Sequence, residues 1–543
     1  MMSRIKIKKP YQKWLFGGFG FHNSEATMMP IMEEDFKNEC VLKCFREVSP
    51  TFSRVYGGFA DWSQEAMDHF ADYYDQTFRR SGTTLYMVPG RMPMPTADFD
   101  LEAYCEKTAE KLEYLINVRK CTKIRYFCVT NELSVGNTYA YLANHLDLFV
   151  KLHDGLFRAF ARHGLDVGLL ATDCSGEANF PQIEWACEHM DELTADYCTH
   201  LYLRKYQPGD LEAYDYCREL FAALSFRACC KQKRYILGEY GINDRDKRMF
   251  DPMKAMINDV SYAVAHPEND GIYAVALAEM SLAVLTSGTF ASAFWTLFDY
   301  PDPFIKEDGD TREEKARYEV ARFSGHGLQI RYNKNGLIRW RGADDGNGAR
   351  ASFYTMGYLA KLFRKGSRVL DCEWDDEMLR AGAVINQDGT FSICLICWAD
   401  EARTVEIDAE CQADKPLRRY DFCADAVPYN RFCDLQSYSQ TVSCDGKMTL
   451  TLPPRSVTFL STDYVDRVPS QIENVRVEEK RLVWDACTDS DHCYYRVYAS
   501  STPDFAPCLE NQICSTVAEF TKIDDPDLFY RVVSVDQYGN VGV

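Results

Sequence analysis

Two short stretches of this 543-residue chain carry residues suited to acid–base and nucleophilic work. "YFCVTNELSVG" (126–136) and "YILGEYGIND" (235–244) each run through apolar residues and then present an acid, Glu132 in one and Glu239 in the other. A carboxyl group that stays protonated can donate to a leaving oxygen, and an ionised one can attack or activate water. Glycoside hydrolysis needs one of each facing a single pocket. Asn131, directly before Glu132, adds an amide able to hydrogen-bond a sugar hydroxyl. With two carboxyl groups close together, burial and the neighbouring charge are expected to raise the pKa of Glu132.

For these residues to meet, the strands that carry them must lie side by side. Eight apolar runs read as strands: 14–23, 51–58, 83–90, 124–132, 166–173, 195–203, 234–241 and 291–300. Helical spacing fills the gaps, as in 101–118 and 141–164, where Gly164 suits the residue just past a helix end. The last such segment, 353–367, follows strand eight. Eight strands buried on both faces, alternating with helices, predict an α/β chain folded as a (β/α)8 TIM barrel over residues 1–365. A doubly wound dinucleotide fold lacks its glycine fingerprint here, so no cofactor is expected.

In such a barrel the active site lies at the C-terminal strand ends. Those ends carry Arg54 and Tyr56 on strand two, Asn131 and Glu132 on four, and Asp173 on five. Strand six brings His200 and Tyr202, strand seven Glu239 and strand eight Trp295. Strand one ends in His22, Asn23 and Glu25, of which His22 is taken as a sugar contact and Glu25 as a solvated loop acid. The acid of "SGE" (175–177) has no assigned role. Trp62, after "GGFAD", reads as a sugar platform or as packing beneath a loop.

Beyond residue 366 the texture becomes short alternating strands with turns at Asp388-Gly389 and Asp445-Gly446, the latter read as a hairpin. This predicts a β-sandwich over 366–465. Residues 466–543 repeat the pattern with the strand spacing of a fibronectin type III-like β-sandwich.

At this point a resemblance becomes specific. Asn-Glu ending strand four with Glu ending strand seven is similar to the signature of glycoside hydrolase clan A. "THLY", "LGEYG", "FRKGSRVL" and "LPPRSVTFL" make residues 11–463 look most like family 39. The resemblance implies a retaining glycosidase with Glu132 as general acid/base and Glu239 as nucleophile. It further implies that His200 and Tyr202 orient the nucleophile, that Arg54 supports it, and that Trp295 floors the sugar site.

Composition bounds the partners. The chain is 46% hydrophobic and 26% charged, and its 81 acidic against 61 basic residues give a net charge of −20. An acidic surface excludes nucleic acid and anionic membrane as partners and suits a neutral oligosaccharide or glycoside. No run of about 18 apolar residues predicts a membrane-spanning helix. The basic start "MMSRIKIKKPYQKW" has no apolar signal core, so a cytoplasmic protein is expected. The 22 cysteines are expected reduced and buried, and the lone Cys394–Cys397 pair lies in a strand pattern with no metal expected. Exo action on short oligosaccharides is the leading expectation, with endo action or a catalytically silent carbohydrate-binding barrel as alternatives. Homo-oligomer formation stays open.

Overall fold

A computed structural model describes residues 2–10, 14–23, 26, 34–57, 61–89, 99–133, 141–203, 209–242, 270–302, 318–322, 329–333, 336–339, 348–409 and 415–542. The first strand, β1 (Ser3–Pro10), is followed by the eight strands of a closed parallel barrel. These are β2 (Gly18–His22), β3 (Phe52–Gly57), β4 (Thr84–Pro89), β5 (Ile124–Cys128), β6 (Gly168–Ser175), β7 (Asp196–Leu203), β8 (Tyr235–Ile242) and β9 (Ala291–Phe294). Each overlaps an expected strand. Pairing of Gly18 with Ala291 closes the ring.

The strands hold because both faces are dry. Phe52, Tyr86, Tyr126, Leu170, Cys198 and Ile236 fill the barrel interior as one core, while outward-facing Val55, Leu85, Met87 and Leu237 join the larger core under the helices. Each such large side chain contributes on the order of 2 kcal/mol by leaving water. Gly20 is needed for β2 to close on β3, since a Cβ there would sit 1.8 Å from the Phe52 carbonyl oxygen. Helix starts are fixed by side-chain caps: Ser63 accepts from the Ala66 N–H and Asp100 from the Ala103 N–H. The helix Leu146–Arg162 ends before Gly164, which takes φ +63° as its position requires. No described helix is long and apolar enough to cross a membrane.

The second unit is a nine-stranded sheet, and it includes β1. That strand runs parallel to Arg403–Ala409 and antiparallel to Arg368–Trp374. Residues 3–10 therefore sit with the sheet that begins near residue 366, not with the barrel. Strands far apart in the order, Leu417–Cys423 and Lys447–Leu452, both supply residues to one core, so the sheet curls on itself into a sandwich. The turn expected at Asp388-Gly389 closes a hairpin, since the strands on either side of it pair antiparallel. Asp445-Gly446 is not a hairpin: Gln440–Val442 pairs with Leu417–Cys423, whereas Lys447–Leu452 pairs with Arg403–Ala409. Cys394 and Cys397 point to opposite faces of their strand and enter different cores, so they do not converge on an ion. The last unit is two three-stranded sheets around Trp484, Leu482 and Val497.

Buried ions lock the three units together. Glu279, on the helix Asp270–Thr286, meets Arg380 of the sandwich at 2.8 Å with both side chains wholly buried. Lys43, on the helix Leu42–Val48, lies 2.7 Å from Glu47 and 2.6 Å from Asp434 of the sandwich. Arg496 and Tyr494 of the last unit reach Asp434 and Glu47 at 3.0 and 3.2 Å.

Candidate active site

Glu239 is placed by a slip in register. Along β7 and β8, Thr199 pairs with Leu237 but His200 pairs with Glu239, so Gly238 is left over as a bulge. Because side chains alternate between faces, one extra residue re-aims everything after it. Gly238 is glycine for a reason of space. A Cβ there would lie 3.1 Å from His200 Nε2, 3.1 Å from a Tyr86 ring carbon and 3.2 Å from Asp173 Oδ1. A second slip falls in β6, where Thr172 pairs with Cys198 and Cys174 with Thr199, leaving Asp173 as the extra residue.

The carboxylate of Glu239 is surrounded by donors. The Arg54 guanidinium is ion-paired with Oε1, Tyr202 donates to Oε2 at 2.8 Å, and Tyr56 donates to Oε1 at 3.3 Å. Arg54 is itself fully buried and donates to Asn131 Oδ1 at 2.6 Å and Asp173 Oδ2 at 3.3 Å. A guanidinium only donates, so the Asn131 oxygen faces it and the Asn131 Nδ2 is turned away.

Glu132 lies four residues past the end of β5, not within a strand, and takes φ +60°. Asp173 takes φ +59°. Left-handed backbone is costly for such residues and gathers at functional sites. His200, wholly buried, stands between the acids: Nδ1 is 3.3 Å from Glu132 Oε1 and 3.6 Å from Glu239 Oε2, and Nε2 is 2.8 Å from Asp173 Oδ1. One carboxylate oxygen each of Glu132 and Glu239 and one His200 nitrogen all lie within 4.8 Å of one another. With two carboxylates and one imidazole, these donors suit a cation, as do Cys128, Asp173 and Cys198 beside them, although the positive charges of Arg54 and His200 oppose one.

Electrostatics follow from this packing. Burial alone lowers the pKa of His200, but the charges of Asp173 and Glu239 overcome it and raise it to about 10, so the ring is an imidazolium. Burial pushes the Asp173 carboxyl up, while the charges of His200 and Arg54 pull it far below the ordinary range. Glu132 departs from expectation. Burial raises its pKa, yet the hydrogen bond and charge of His200 outweigh burial and leave it below the ordinary value. His22 is held neutral by burial and by the nearby charges of Arg54 and His200.

His22 stacks on Trp295, with ring centroids 4.3 Å apart, and meets Tyr56 edge-on at 4.4 Å. Trp295, one residue beyond β9, and Tyr56 thus form one aromatic wall with His22. Trp62 packs on Phe70 of the helix Gln64–Gln76 and against the main core. Glu25 lies outside the described residues. Tyr86, which donates to Asp173 Oδ1, was hidden as an apolar strand residue. Ser175, which hydrogen-bonds Glu132, carried no signal beyond its place at a strand end.

No family model matches the chain, and no curated protein matches it significantly. Solved structures do. The catalytic domain of a family 30 xylanase C from Talaromyces cellulolyticus aligns with a TM-score of 0.55 and 14% identity, over 84% of this chain and all of that one. An α-L-arabinofuranosidase from Thermotoga maritima gives 0.55 and 13% over 85% and 99%. A family 30 subfamily 8 xylanase from Clostridium acetobutylicum gives 0.53 and 14% over 84% and 99%. The chain has the fold of these glycoside hydrolases, barrel and sandwich together, and none of the three is a family 39 protein by name.

Proposed function

We propose that the chain is a retaining O-glycosyl hydrolase of clan A. The observation that carries this is the approach of Glu132 and Glu239 to within 4.8 Å, oxygen to oxygen. Retaining enzymes hold their carboxyl groups roughly 5–5.5 Å apart, and inverting ones roughly 6.5–9.5 Å, to admit a water. The clan-A fold of the neighbours supports the reading without favouring family 39.

In this mechanism Glu239 attacks the anomeric carbon as Glu132 gives its proton to the departing glycosidic oxygen. The C–O bond to the leaving group breaks and an ester to Glu239 forms. Glu132, now a carboxylate, takes a proton from water, which attacks the same carbon and releases Glu239. Arg54, Tyr202 and Tyr56 are positioning residues that fix the attacking oxygen. The Asn131 Nδ2 is turned to meet the sugar 2-hydroxyl, and Trp295 with His22 forms the floor under the ring. Exo action on short oligosaccharides is the finer proposal. The xylanase names among the neighbours favour endo action as the second reading, and the sizes of products released from a polymeric glycan distinguish the two.

The roles are tested by the two alanine variants. With an activated aryl glycoside, Glu132→Ala should accumulate glycosyl-enzyme, and azide should restore turnover and give a glycosyl azide of retained configuration. Glu239→Ala cannot form the ester, so azide should yield at most the inverted product. Full activity in both variants refutes the assignment.

A further inference from the structure

On the face of the barrel opposite the strand C-termini, a cavity of about 700 Å³ opens where all three units meet. Its lining comes from the helix Leu42–Val48, the short helix Phe78–Ser81, the end of the helix Ala351–Leu362, a turn of the sandwich and a loop of the last unit.

Its charges are lopsided. The acids that line it are each paired: Glu47 with Lys43, Asp388 and Asp463 with Arg364, and Asp491 with Arg467. Arg46, Arg80 and Lys361 line the same space, and none forms an ion pair with a described residue. A basic residue in the last turn of a helix is ordinary, because it complements the helix dipole. That rule accounts for each cation alone but not for two guanidiniums crowding one cavity. The crowding is felt: burial and the Arg80 charge lower Arg46 to about 10, and burial with both arginines lowers His492 to about 4. The neutral His492 ring has Nδ1 2.8 Å from Ser534 Oγ, and its buried Nε2 has no hydrogen-bond partner among the described residues.

We propose that this junction binds a phosphate-type oxyanion, seated between Arg46, Arg80 and His492 with Lys361 alongside. Guanidinium forks match the oxygens of a phosphate two at a time. The volume exceeds what inorganic phosphate fills, and the polar side chains of Ser49, Asn386 and Gln387 line the remainder, as an ester with hydroxyl groups would use. Because the lining spans three units, the anion ties the barrel to both C-terminal modules. Nothing in this depends on the glycosidase reading.

The test is calorimetric titration of the full chain with inorganic phosphate and, separately, with glucose 6-phosphate, using glucose as the uncharged control. Both anions should bind and glucose should not. Tighter binding of the ester assigns the site to phosphorylated small molecules, and equal binding assigns it to phosphate itself. Arg46→Gln and Arg80→Gln should each weaken binding tenfold or more, since a hydrogen bond to a charged group is worth about that much. In phosphate-free buffer each variant should melt no lower than wild type, because like-charge repulsion has been relieved, and phosphate should raise the melting temperature of wild type more than that of either variant. Absence of binding at millimolar anion overturns the proposal, as does full binding in the Arg46→Gln/Arg80→Gln double variant.

Discussion

Replacing His200 by Gln keeps a hydrogen-bond donor beside Glu132 and deletes the positive charge. With Nδ1 only 3.3 Å from Glu132 Oε1, the bare Coulomb term at an effective dielectric of about 20 is 332/(20 × 3.3), or roughly 5 kcal/mol. Glu132 is 21% exposed, so water screens part of this, and opposite charges at such range move a carboxyl by about 1–3 pH units. The basic limb of kcat/KM, which reports the proton donor in the free enzyme, should therefore move up by about 1–3 pH units in His200→Gln. The wild type should work best in acid, because a glutamate at the ordinary 4.5 keeps its proton in only about one molecule in 300 at pH 7, and Glu132 lies lower still. The same substitution has a stability signature. His200 holds its proton to about pH 10 when folded against an ordinary 6.5, so its contribution is complete below pH 6.5 and is lost as pH rises to 10. The loss is at most (10 − 6.5) × 1.36, or about 5 kcal/mol. Wild-type melting temperature should fall across that window, and His200→Gln should remove most of the slope. A variant whose basic limb stays in place, with the alkaline slope intact, refutes the placement of a charged His200 between the two acids.

Arg54→Lys retains charge but cannot serve Glu239, Asn131 and Asp173 together. At roughly 1.5–3 kcal/mol per charged hydrogen bond lost, kcat should fall tenfold to a few hundredfold with a smaller change in KM, and wild-type turnover would place Arg54 outside the site. Lys43→Met leaves the Glu47 and Asp434 carboxylates buried without their shared cation, a change that costs about 3–5 kcal/mol. The urea midpoint should drop accordingly, and an unchanged midpoint would mean that water reaches the junction.

The barrel was legible because its strands are buried on both faces, so "IRYFCVTNE" (124–132) and "YILGEYG" read as largely apolar runs whose acids stand out. That contrast is why Glu132 and Glu239 were found. What packing decides was not legible. Tyr86 has the sequence character of core and reveals its role only by donating to Asp173. The slips at Asp173 and Gly238 arise from pairing between neighbouring strands, which no single strand encodes. β1 is missing from the expected strands because its partners lie some 360–400 positions away. Lys43 and Glu47 have the i,i+4 spacing of a solvated surface pair, yet the sandwich and the last unit together bury them.

The sign of the Glu132 shift fits the two halves of the proposed reaction. In the free site Arg54 and His200 are positive, while Asp173, Glu239 and an ionised Glu132 are negative. Protonating Glu132 brings the five groups to neutrality, which a buried site tolerates better than a net charge. Once Glu239 becomes an ester its negative charge is gone, and the same protonated Glu132 would leave a net positive site. Its departure as a proton to the leaving group is then favoured by the very step that requires it. The resulting carboxylate, held by the His200 imidazolium, is the form that draws a proton from water. Asp173 maintains this throughout, because it keeps His200 charged without touching the substrate, so Asp173→Asn should lower the pKa of His200 and blunt deglycosylation more than glycosylation. Burst kinetics with an activated aryl glycoside separate the two steps. A variant that slows both equally, with its alkaline stability slope unchanged, would show that Asp173 serves packing alone.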